Sequence, residues 1–429
     1  MKKTLFYLLA SLACVALIFS SCKDDKKNEP GEDDFLSPSE VEKLPYSSLT
    51  PEQQKEKLSK EANAFLSQIQ DMSKEKSIEV FKAFGDLLTI DAPTIGGLEL
   101  RSSDKIIKIN QFYGKFTWQP STQTWKEEPA QQLEFNFPVK TSEGMQQGKI
   151  VVTGKSSGKD YSYKEYYDGY WDYNTQKWID EYRTVTVELP KEVSAKLYLG
   201  TSEVGGIQAN ADIVQSETAP RSSTVTFSFG SYKFTQSYNK SADKADFSAN
   251  LKKGNTVLLD YSVALNGNID KLIEEGDENY LSSGNYILFI MDNLAFTGEV
   301  DFANYIKEMN ALDASCYPYP YPENFDWNKA DENYIKGSAA IYNKYYNLYL
   351  VSTKDKTKIA KLTQKAKLET ETYQWCDYWG DCETYTYTYW TLIPMLRFND
   401  ATEVEAEVYF SKGFDAVEKN FRRFIESFE

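Results

Sequence analysis

Carboxylates and cysteines carry most of the chemistry open to this chain, because its 429 residues include 64 acidic side chains and no histidine. The missing histidine excludes Ser-His-Asp and Cys-His nucleophilic sites, histidine zinc sites and histidine haem ligation. Paired carboxylates can hydrolyse glycosides without histidine, and the candidates include Asp168, Asp172, Asp377 and Asp381. Because so many acids produce chance pairs, we expect mostly surface charges and name no catalytic residue.

The sequence lacks the patterns that hold metals, cofactors and nucleic acids. It has no Asp-x-Asp-x-Asp-Gly loop for calcium, no Gly-x-Gly-x-x-Gly for a dinucleotide, and no histidine to complete a cysteine zinc site. A net charge of −16 opposes binding to nucleic acid, which requires a positive protein surface. We therefore predict no metal, no cofactor and no nucleic-acid partner.

The densest aromatic cluster lies between residues 375 and 390. In Tyr385-Thr386-Tyr387-Thr388-Tyr389 the alternation predicts a strand with tyrosines on one face and threonines on the other. An open tyrosine face could stack on a glycan or a protein partner, whereas a face turned to the core would only pack. The candidate ligand contacts are Trp375, Tyr378, Trp379, Tyr385, Tyr387 and Tyr389. The same two alternatives apply to Tyr161, Tyr163, Tyr166, Tyr167 and Tyr170.

One eight-residue pattern, Trp-x-x-x-Thr-Gln-x-Trp, occurs twice. It spans Trp118 to Trp125 and again Trp171 to Trp178. Each copy predicts a β-hairpin whose two tryptophans pair across the strands. The alternative is an aromatic platform for sugar rings. We favour the paired hairpins, because cross-strand aromatic pairs are a common device in sheets.

The N-terminus has the features of an export signal. Lys2 and Lys3 precede an apolar segment, Leu5–Ile18, that is too short to span a bilayer. Phe19-Ser20-Ser21-Cys22 then resembles the lipobox of bacterial lipoproteins, although Phe19 replaces the usual leucine. This resemblance implies that Cys22 becomes the N-terminus and carries fatty acyl chains such as palmitate, which hold a protein on a membrane. The alternative is an ordinary secretory signal with a cysteine nearby.

The residues after Cys22 form a charged run that ends at Asp34. Because the run has no apolar face, we predict a solvated tether. Its start, Lys23-Asp24-Asp25, resembles the acidic export signal of surface-exposed lipoproteins of the Bacteroidota type. This implies a lipid-anchored protein on the outer membrane that faces outward, with a periplasm-facing orientation as the alternative. A generic charged linker would have the same composition.

Export also bears on the cysteines, because exported proteins fold in oxidising compartments. Cys376 and Cys382 flank a five-residue turn, Asp377–Asp381, and we predict a disulfide between them. Cys316 would then be a free thiol. We expect it to be buried, because no basic neighbour is visible that would favour a reactive thiolate.

Helical and strand patterns divide the chain. Thr50-Pro51-Glu52-Gln53 predicts a capped helix start, and a second helix from near Ser73 completes a helical hairpin. From Lys105 the apolar period changes to two, with frequent turn residues. Tyr317–Pro322, an alternating Tyr-Pro run, predicts an extended connector with exposed tyrosines. Further helices are predicted at Ala303–Ala314, Ala330–Tyr345 and Gly413–Phe428.

We predict an α+β protein that is predominantly antiparallel β. It would have a short N-terminal helical hairpin, a β-sandwich or barrel-like body and a mixed α/β C-terminal region. The predicted divisions are a signal peptide (1–21), an acidic tether (22–44), the helical hairpin (45–95), an antiparallel β domain (100–266) and a mixed domain (267–429).

The leading functional hypothesis is a membrane-anchored, non-enzymatic binding or accessory protein whose aromatic surfaces contact a glycan or a protein partner. The second is a scaffold lipoprotein whose aromatic residues are all buried. The third is a glycoside hydrolase that uses carboxylates alone. Exposure of the aromatic clusters separates the first hypothesis from the second, and a pair of acids in a cleft would favour the third.

Overall fold

The structure is a computed structural model that describes residues 38–93, 95, 106–173, 175–214, 220–290, 293–376 and 382–409. The predicted leader, Cys22 and most of the predicted tether lie outside the described residues. So do Tyr378, Trp379 and the predicted helix at Gly413–Phe428.

The helices fall into two groups along the chain. α1 (Pro38–Lys43), α2 (Pro51–Met72) and α3 (Lys76–Ile90) precede the strands, whereas α4 (Ile269–Glu275), α5 (Phe302–Cys316) and α6 (Trp327–Tyr345) lie between strands of the second half. Short 3-10 turns occupy Ile109–Phe112 and Glu278–Tyr280, and residues 406–409 are helical. No helix in the described part of the chain combines the length and apolar composition needed to cross a membrane.

Most of the described chain is β-structure. In chain order the strands are β1 (Ile106–Ile107), β2 (Gly114–Gln119), β3 (Thr124–Glu128), β4 (Leu133–Thr141), β5 (Gly144–Asp172), β6 (Lys177–Leu199), β7 (Ser202–Asp212), β8 (Ser222–Phe229), β9 (Tyr232–Lys240), β10 (Lys244–Lys253), β11 (Thr256–Gly267), β12 (Leu281–Ile290), β13 (Leu294–Val300), β14 (Tyr346–Ser352), β15 (Thr357–Cys376), β16 (Cys382–Arg397) and β17 (Glu403–Glu405).

These strands form one long, mostly antiparallel sheet. From β4 to β17 each strand pairs with the next one along the chain. β2 joins the start of this meander in parallel to β4 and carries β3 on its other side, and the short β1 runs parallel to β6. The predominantly antiparallel β class is thus confirmed. The predicted sandwich or barrel form is not confirmed, since no pairing among the described strands closes the sheet.

The helix start at α2 follows the sequence prediction. The Gln53 backbone N–H donates to Thr50 Oγ1 over 3.3 Å, and the Thr50 backbone N–H donates to Gln53 Oε1 over 2.9 Å. This capping box satisfies two backbone donors at the helix N-terminus that would otherwise lack partners. The division into domains at residue 266 stays a prediction, and strand pairing continues from β11 to β12 beyond it.

α2 and α3 lie along one face of the sheet. Near its start α2 places Leu58 in a cluster with Leu350, and near its end Met72 packs with Tyr232. α3 covers the first strands, where the ring of Phe84 lies 4.9 Å from that of Phe135. Burial of these apolar side chains, at about 25 cal/mol per Å², is the main force that joins the helices to the sheet.

α5 and α6 lie on this same face, farther along the second half. Tyr346 and Leu350 belong to β14 and are separated by an even number of residues, so both side chains point to one face. Leu350 contacts the α2 cluster, while the ring of Tyr346 lies 5.1 Å from that of Tyr305 in α5 and 4.0 Å from that of Tyr342 in α6. The opposite face of β14 is contacted by α1, through Val41.

Two hairpins extend past their neighbouring strands. We call residues 163–173 and 177–185 of the β5–β6 hairpin the first ribbon, and residues 365–376 and 382–393 of the β15–β16 hairpin the second ribbon. Within the described chain, the strands of each ribbon pair only with one another. The side chains of the first ribbon are therefore positioned mainly by cross-strand contacts. The base of the second ribbon also contacts α6, where Lys336 lies over the ring of Trp390, and β17, where Glu405 pairs with Lys367.

Candidate functional site

The predicted tyrosines of the second ribbon lie on one face, as the alternation predicts. Across the ribbon, Tyr385 pairs with Tyr373, Tyr387 with Glu371, and Tyr389 with Glu369. The opposite face carries threonines. Thr372 and Thr386 pair there with hydroxyl oxygens 3.0 Å apart.

The rings of this tyrosine face stack in two pairs. The ring centroids of Tyr373 and Tyr385 are 5.5 Å apart with 21° between the ring planes, and those of Tyr387 and Tyr389 are 5.4 Å apart with 24°. Tyr373, Tyr385 and Tyr387 are exposed, whereas Tyr389 is half-buried. The rings are near-parallel within each pair, whereas the planes of Tyr373 and Tyr387 meet at 72°, so the ribbon holds two stacked pairs in contact with solvent.

Glu371 organises the hydroxyl groups of this face. The hydroxyls of Tyr387 and Tyr389 donate hydrogen bonds to its two carboxylate oxygens, over 2.5 and 2.6 Å. These hydrogen bonds lower the pKa of Glu371, because they favour its charged form. The hydrogen bond to Glu371 also raises the pKa of Tyr389 to about 12, with burial as a smaller cause. The arrangement fixes ring orientation, and it adds a negative charge beside the rings.

Of the other predicted contacts, only Trp375 lies among the described residues of this ribbon. Trp375 is opposite Glu383 in the strand register, and Tyr378 and Trp379 lie outside the described residues. Cys376 and Cys382 form a disulfide at the last described pair of the ribbon, while Cys316 is a buried free thiol at the end of α5. A ligand-contact role for the six predicted aromatic residues stays a prediction.

The first ribbon carries a second aromatic surface. Trp171 and Trp178 pair across its strands, and Tyr166 pairs with Tyr182 with ring centroids 6.1 Å apart. Trp171 is 45% exposed and Trp178 is 56% exposed. Gly169 lies between these pairs, so that no side chain separates the indole of Trp178 from the Tyr166 hydroxyl.

The two copies of the tryptophan pattern have the same pairing and opposite surroundings. Trp118 pairs with Trp125 as Trp171 pairs with Trp178, which confirms the predicted cross-strand pairs. In the first copy Trp118 is only 7% exposed, because α3 covers it. The indole N–H of Trp125 donates to the backbone oxygen of Asp91, just past the end of α3, over 2.9 Å. The second copy has no such cover among the described residues.

Sequence reasoning gave the two copies one interpretation and missed this difference. A signal was available in the residue two positions before the first tryptophan. It is Phe116 in the first copy, a buried core residue, and Gly169 in the second. With glycine in place of a buried phenylalanine, the second copy has less apolar surface that could pack against a core.

A third aromatic group lies in the Tyr-Pro connector between α5 and α6. The ring of Trp327 lies 4.9 Å from that of Tyr321 and 4.8 Å from that of Phe325. Tyr319 is 89% exposed and Trp327 is 53% exposed. As predicted, Tyr317–Pro322 is neither helix nor strand and exposes Tyr319 and Tyr321. Tyr317 is instead half-buried, and its hydroxyl donates to Asp331 Oδ1 over 2.6 Å.

Within the described residues, no group of three or more acidic or cysteine side chains is arranged to hold a metal ion. Comparisons with protein-family models, with curated proteins and with solved structures find no match to this chain.

Proposed function

We propose that this protein is a membrane-anchored lipoprotein with a non-enzymatic binding or accessory role, and that the aromatic faces of its two ribbons are the contact surfaces. One observation carries the proposal. The Trp171–Trp178 pair is left uncovered, whereas the same pair in the first copy of the pattern is covered by α3.

Exposed aromatic rings support a contact role for a physical reason. Each large aromatic side chain offers 150–250 Å² for burial, and that burial stabilises by about 25 cal/mol per Å². On the ribbons this surface remains in water instead of stabilising the fold. A glycan or a protein that stacks on the rings of Trp178 or Tyr385 would gain this energy on binding.

The scaffold hypothesis requires buried aromatic residues, and the exposure of Trp171, Trp178 and Tyr387 favours the binding hypothesis over it. The hydrolase hypothesis requires two acids free to act in a cleft. A groove of about 530 Å³ between the start of α3 and strands β6–β8 has Glu75 and Glu203 on its rim. Both already have partners, since Glu75 accepts from the Ser231 hydroxyl over 2.8 Å and Glu203 pairs with Lys196 over 3.0 Å.

A glycan array tests the binding role. The chain from residue 22 onward, carrying Cys22→Ser to remove the lipid, is applied to the array, and hits are confirmed by tryptophan fluorescence. We expect Trp178→Ala to weaken binding at least ten-fold. Trp327→Ala is the matched control, because it removes an equally exposed tryptophan far from the ribbons in sequence. Equal losses from both variants would contradict the ribbon assignment, and no hit on the array would leave a protein partner as the remaining form of the proposal.

The membrane location is proposed from the resemblance of the leader to a lipobox and of the following residues to an acidic export signal. Mass spectrometry of the mature protein from its native membrane should find acyl chains on Cys22, and a free thiol there would refute the anchor. Protease treatment of intact cells should remove the protein if it faces outward from the outer membrane. Protection from the protease would favour the periplasm-facing alternative.

A further inference from the structure

Two ammonium groups lie over the ring of Tyr349, on the face of β14 that is opposite to α2, and a third cation is paired with one of them across the strands. The ammonium group of Lys358 lies 5.2 Å from the centre of the Tyr349 ring, and that of Lys361 lies 5.8 Å from it. Arg397 is directly opposite Lys361 in the pairing of β15 with β16. We call Lys358, Lys361 and Arg397 the basic cluster.

Within the described part of the chain, no member of the basic cluster forms an ion pair. The Lys358 ammonium donates to the backbone oxygen of Glu42 over 2.8 Å, and that of Lys361 donates to Asn347 Oδ1 over 2.9 Å. Both acceptors are uncharged. Glu403 is opposite Arg397 on β17, yet the described residues include no ion pair between them. By contrast Lys367, farther along β15, pairs with both Glu369 and Glu405.

The register of β15 and β16 places two like charges, Lys361 and Arg397, directly opposite each other. Like charges directly opposite on neighbouring strands destabilise a sheet, and Lys358 is only 8% exposed. Burial is the main cause that lowers the pKa of Lys361. The charge of Glu42 raises this pKa, and the charges of Arg397 and Lys358, each a smaller cause, lower it. The carboxylates of Glu42 and Glu299 also act on Tyr349 by their charge. Within the described residues neither forms an ion pair with the cluster, so its three cations are open to an anion.

We propose that the basic cluster binds a phosphate group, supplied by the headgroups of the membrane on which the protein is anchored. Arg397 is exposed and Lys361 half-buried, so their donors are within reach of a ligand, and a guanidinium group matches two phosphate oxygens at once. α1, which contacts the cluster through Glu42, starts at Pro38, and 15 residues lie between it and Cys22. Even fully extended, that segment spans at most about 55 Å. The anchor would therefore hold lipid phosphates at high effective concentration near the cluster.

The proposal that lipids supply the phosphate depends on the proposed membrane anchor. The proposal that the basic cluster binds a phosphate group does not depend on it. The test therefore uses the chain from residue 22 onward with Cys22→Ser, and two probes. One is inorganic phosphate, and the other is a short-chain phosphatidylglycerol kept below its micelle concentration. Calorimetric titration measures both affinities, and thermal unfolding without ligand measures stability.

We expect both probes to bind, the phospholipid more tightly, and each of Arg397→Gln and Lys361→Gln to weaken binding by about five-fold. Without ligand these two variants should be as stable as the parent or more so, because they relieve like-charge repulsion. A purely structural cluster would instead lose stability. Lys126→Gln is the matched control, because it removes a lysine that is already paired with Glu128.

The outcomes separate the site from the anchor. If inorganic phosphate binds as tightly as the phospholipid, the cluster is a site for free phosphate and the lipid source is wrong. If Cys22 proves unmodified while phosphate binding persists, the anchor fails and the site stands. If neither probe binds, or if Lys126→Gln weakens binding as much as Arg397→Gln, the proposal is overturned.

Discussion

The indole of Trp178 lies directly against the backbone of Gly169. An ideal Cβ atom at Gly169 would be 2.5 Å from the indole nitrogen of Trp178 and 2.8 Å from the hydroxyl of Tyr166. No real Cβ tolerates these distances, so glycine is required for this placement of the ring. This glycine therefore decides how the exposed tryptophan of the first ribbon is presented to solvent.

Gly169→Ala should displace the indole of Trp178 and leave the fold intact. The atoms that clash are the outer ends of side chains on an open ribbon, so they can move at small cost. We expect a changed near-ultraviolet circular dichroism signal and a change in the free energy of unfolding below about 1 kcal/mol. Any ligand that stacks on Trp178 should bind more weakly.

Gly85→Ala is the control for this substitution. Gly85 lies inside α3, and an added Cβ there would meet no atom within 4 Å. Alanine should therefore stabilise the helix by about 0.5–1 kcal/mol without changing the tryptophan signal. If Gly169→Ala left the dichroism signal unchanged too, the assigned contact between Gly169 and Trp178 would be wrong.

Phe84→Ala should destabilise the protein strongly. The Phe84 ring is buried between α3 and the first strands, 5.3 Å from the ring of Phe137 and 6.0 Å from that of Trp125. Loss of such a ring costs about 3–5 kcal/mol through lost transfer energy and the remaining cavity. Urea unfolding measures this cost. Tyr319→Ala, at an exposed position of the connector, should stay within about 0.5 kcal/mol of the parent.

Titration of the second ribbon should depend on Glu371. Its pKa is lowered in the folded protein, so its hydrogen bonds favour folding above the ordinary glutamate pKa and are lost as the pH falls through the lowered value. The pKa of Tyr389 is raised from 10.0 to about 12, so its contribution is complete below the ordinary value and is lost as the pH rises through about 12. Ultraviolet difference titration of Glu371→Gln against the parent should show tyrosines that ionise at lower pH.

Thiol counting should distinguish the three cysteines that follow residue 22. In the Cys22→Ser chain, the native protein should react slowly because Cys316 is buried. After denaturation without reductant one thiol should react, and after reduction three should react, because Cys376 and Cys382 are joined. Three reactive thiols before reduction would show that the disulfide does not form.

Local features of this protein could be predicted from the sequence. The capping box of Thr50 and Gln53 depends on residues three positions apart, and the tyrosine face of Tyr385 and Tyr387 depends on the two-residue period of a strand. The pairing of Trp171 with Trp178 follows from a short turn between them. Each feature is set by neighbours along the chain, so no long-range contact is needed to infer it.

The surroundings of these features depended on the tertiary structure. The tryptophan pattern is buried at Trp118, because α3, which precedes it in the chain, packs against it. The same pattern is exposed at Trp171, because the first ribbon extends past its neighbouring strands. Lys361 and Arg397 face each other only because β15 and β16 pair in one particular register. Whether the described strands close into a barrel likewise depends on the order in which all of them pair. Burial and charge balance at a residue are set by chain segments distant in sequence, and the local pattern does not contain them.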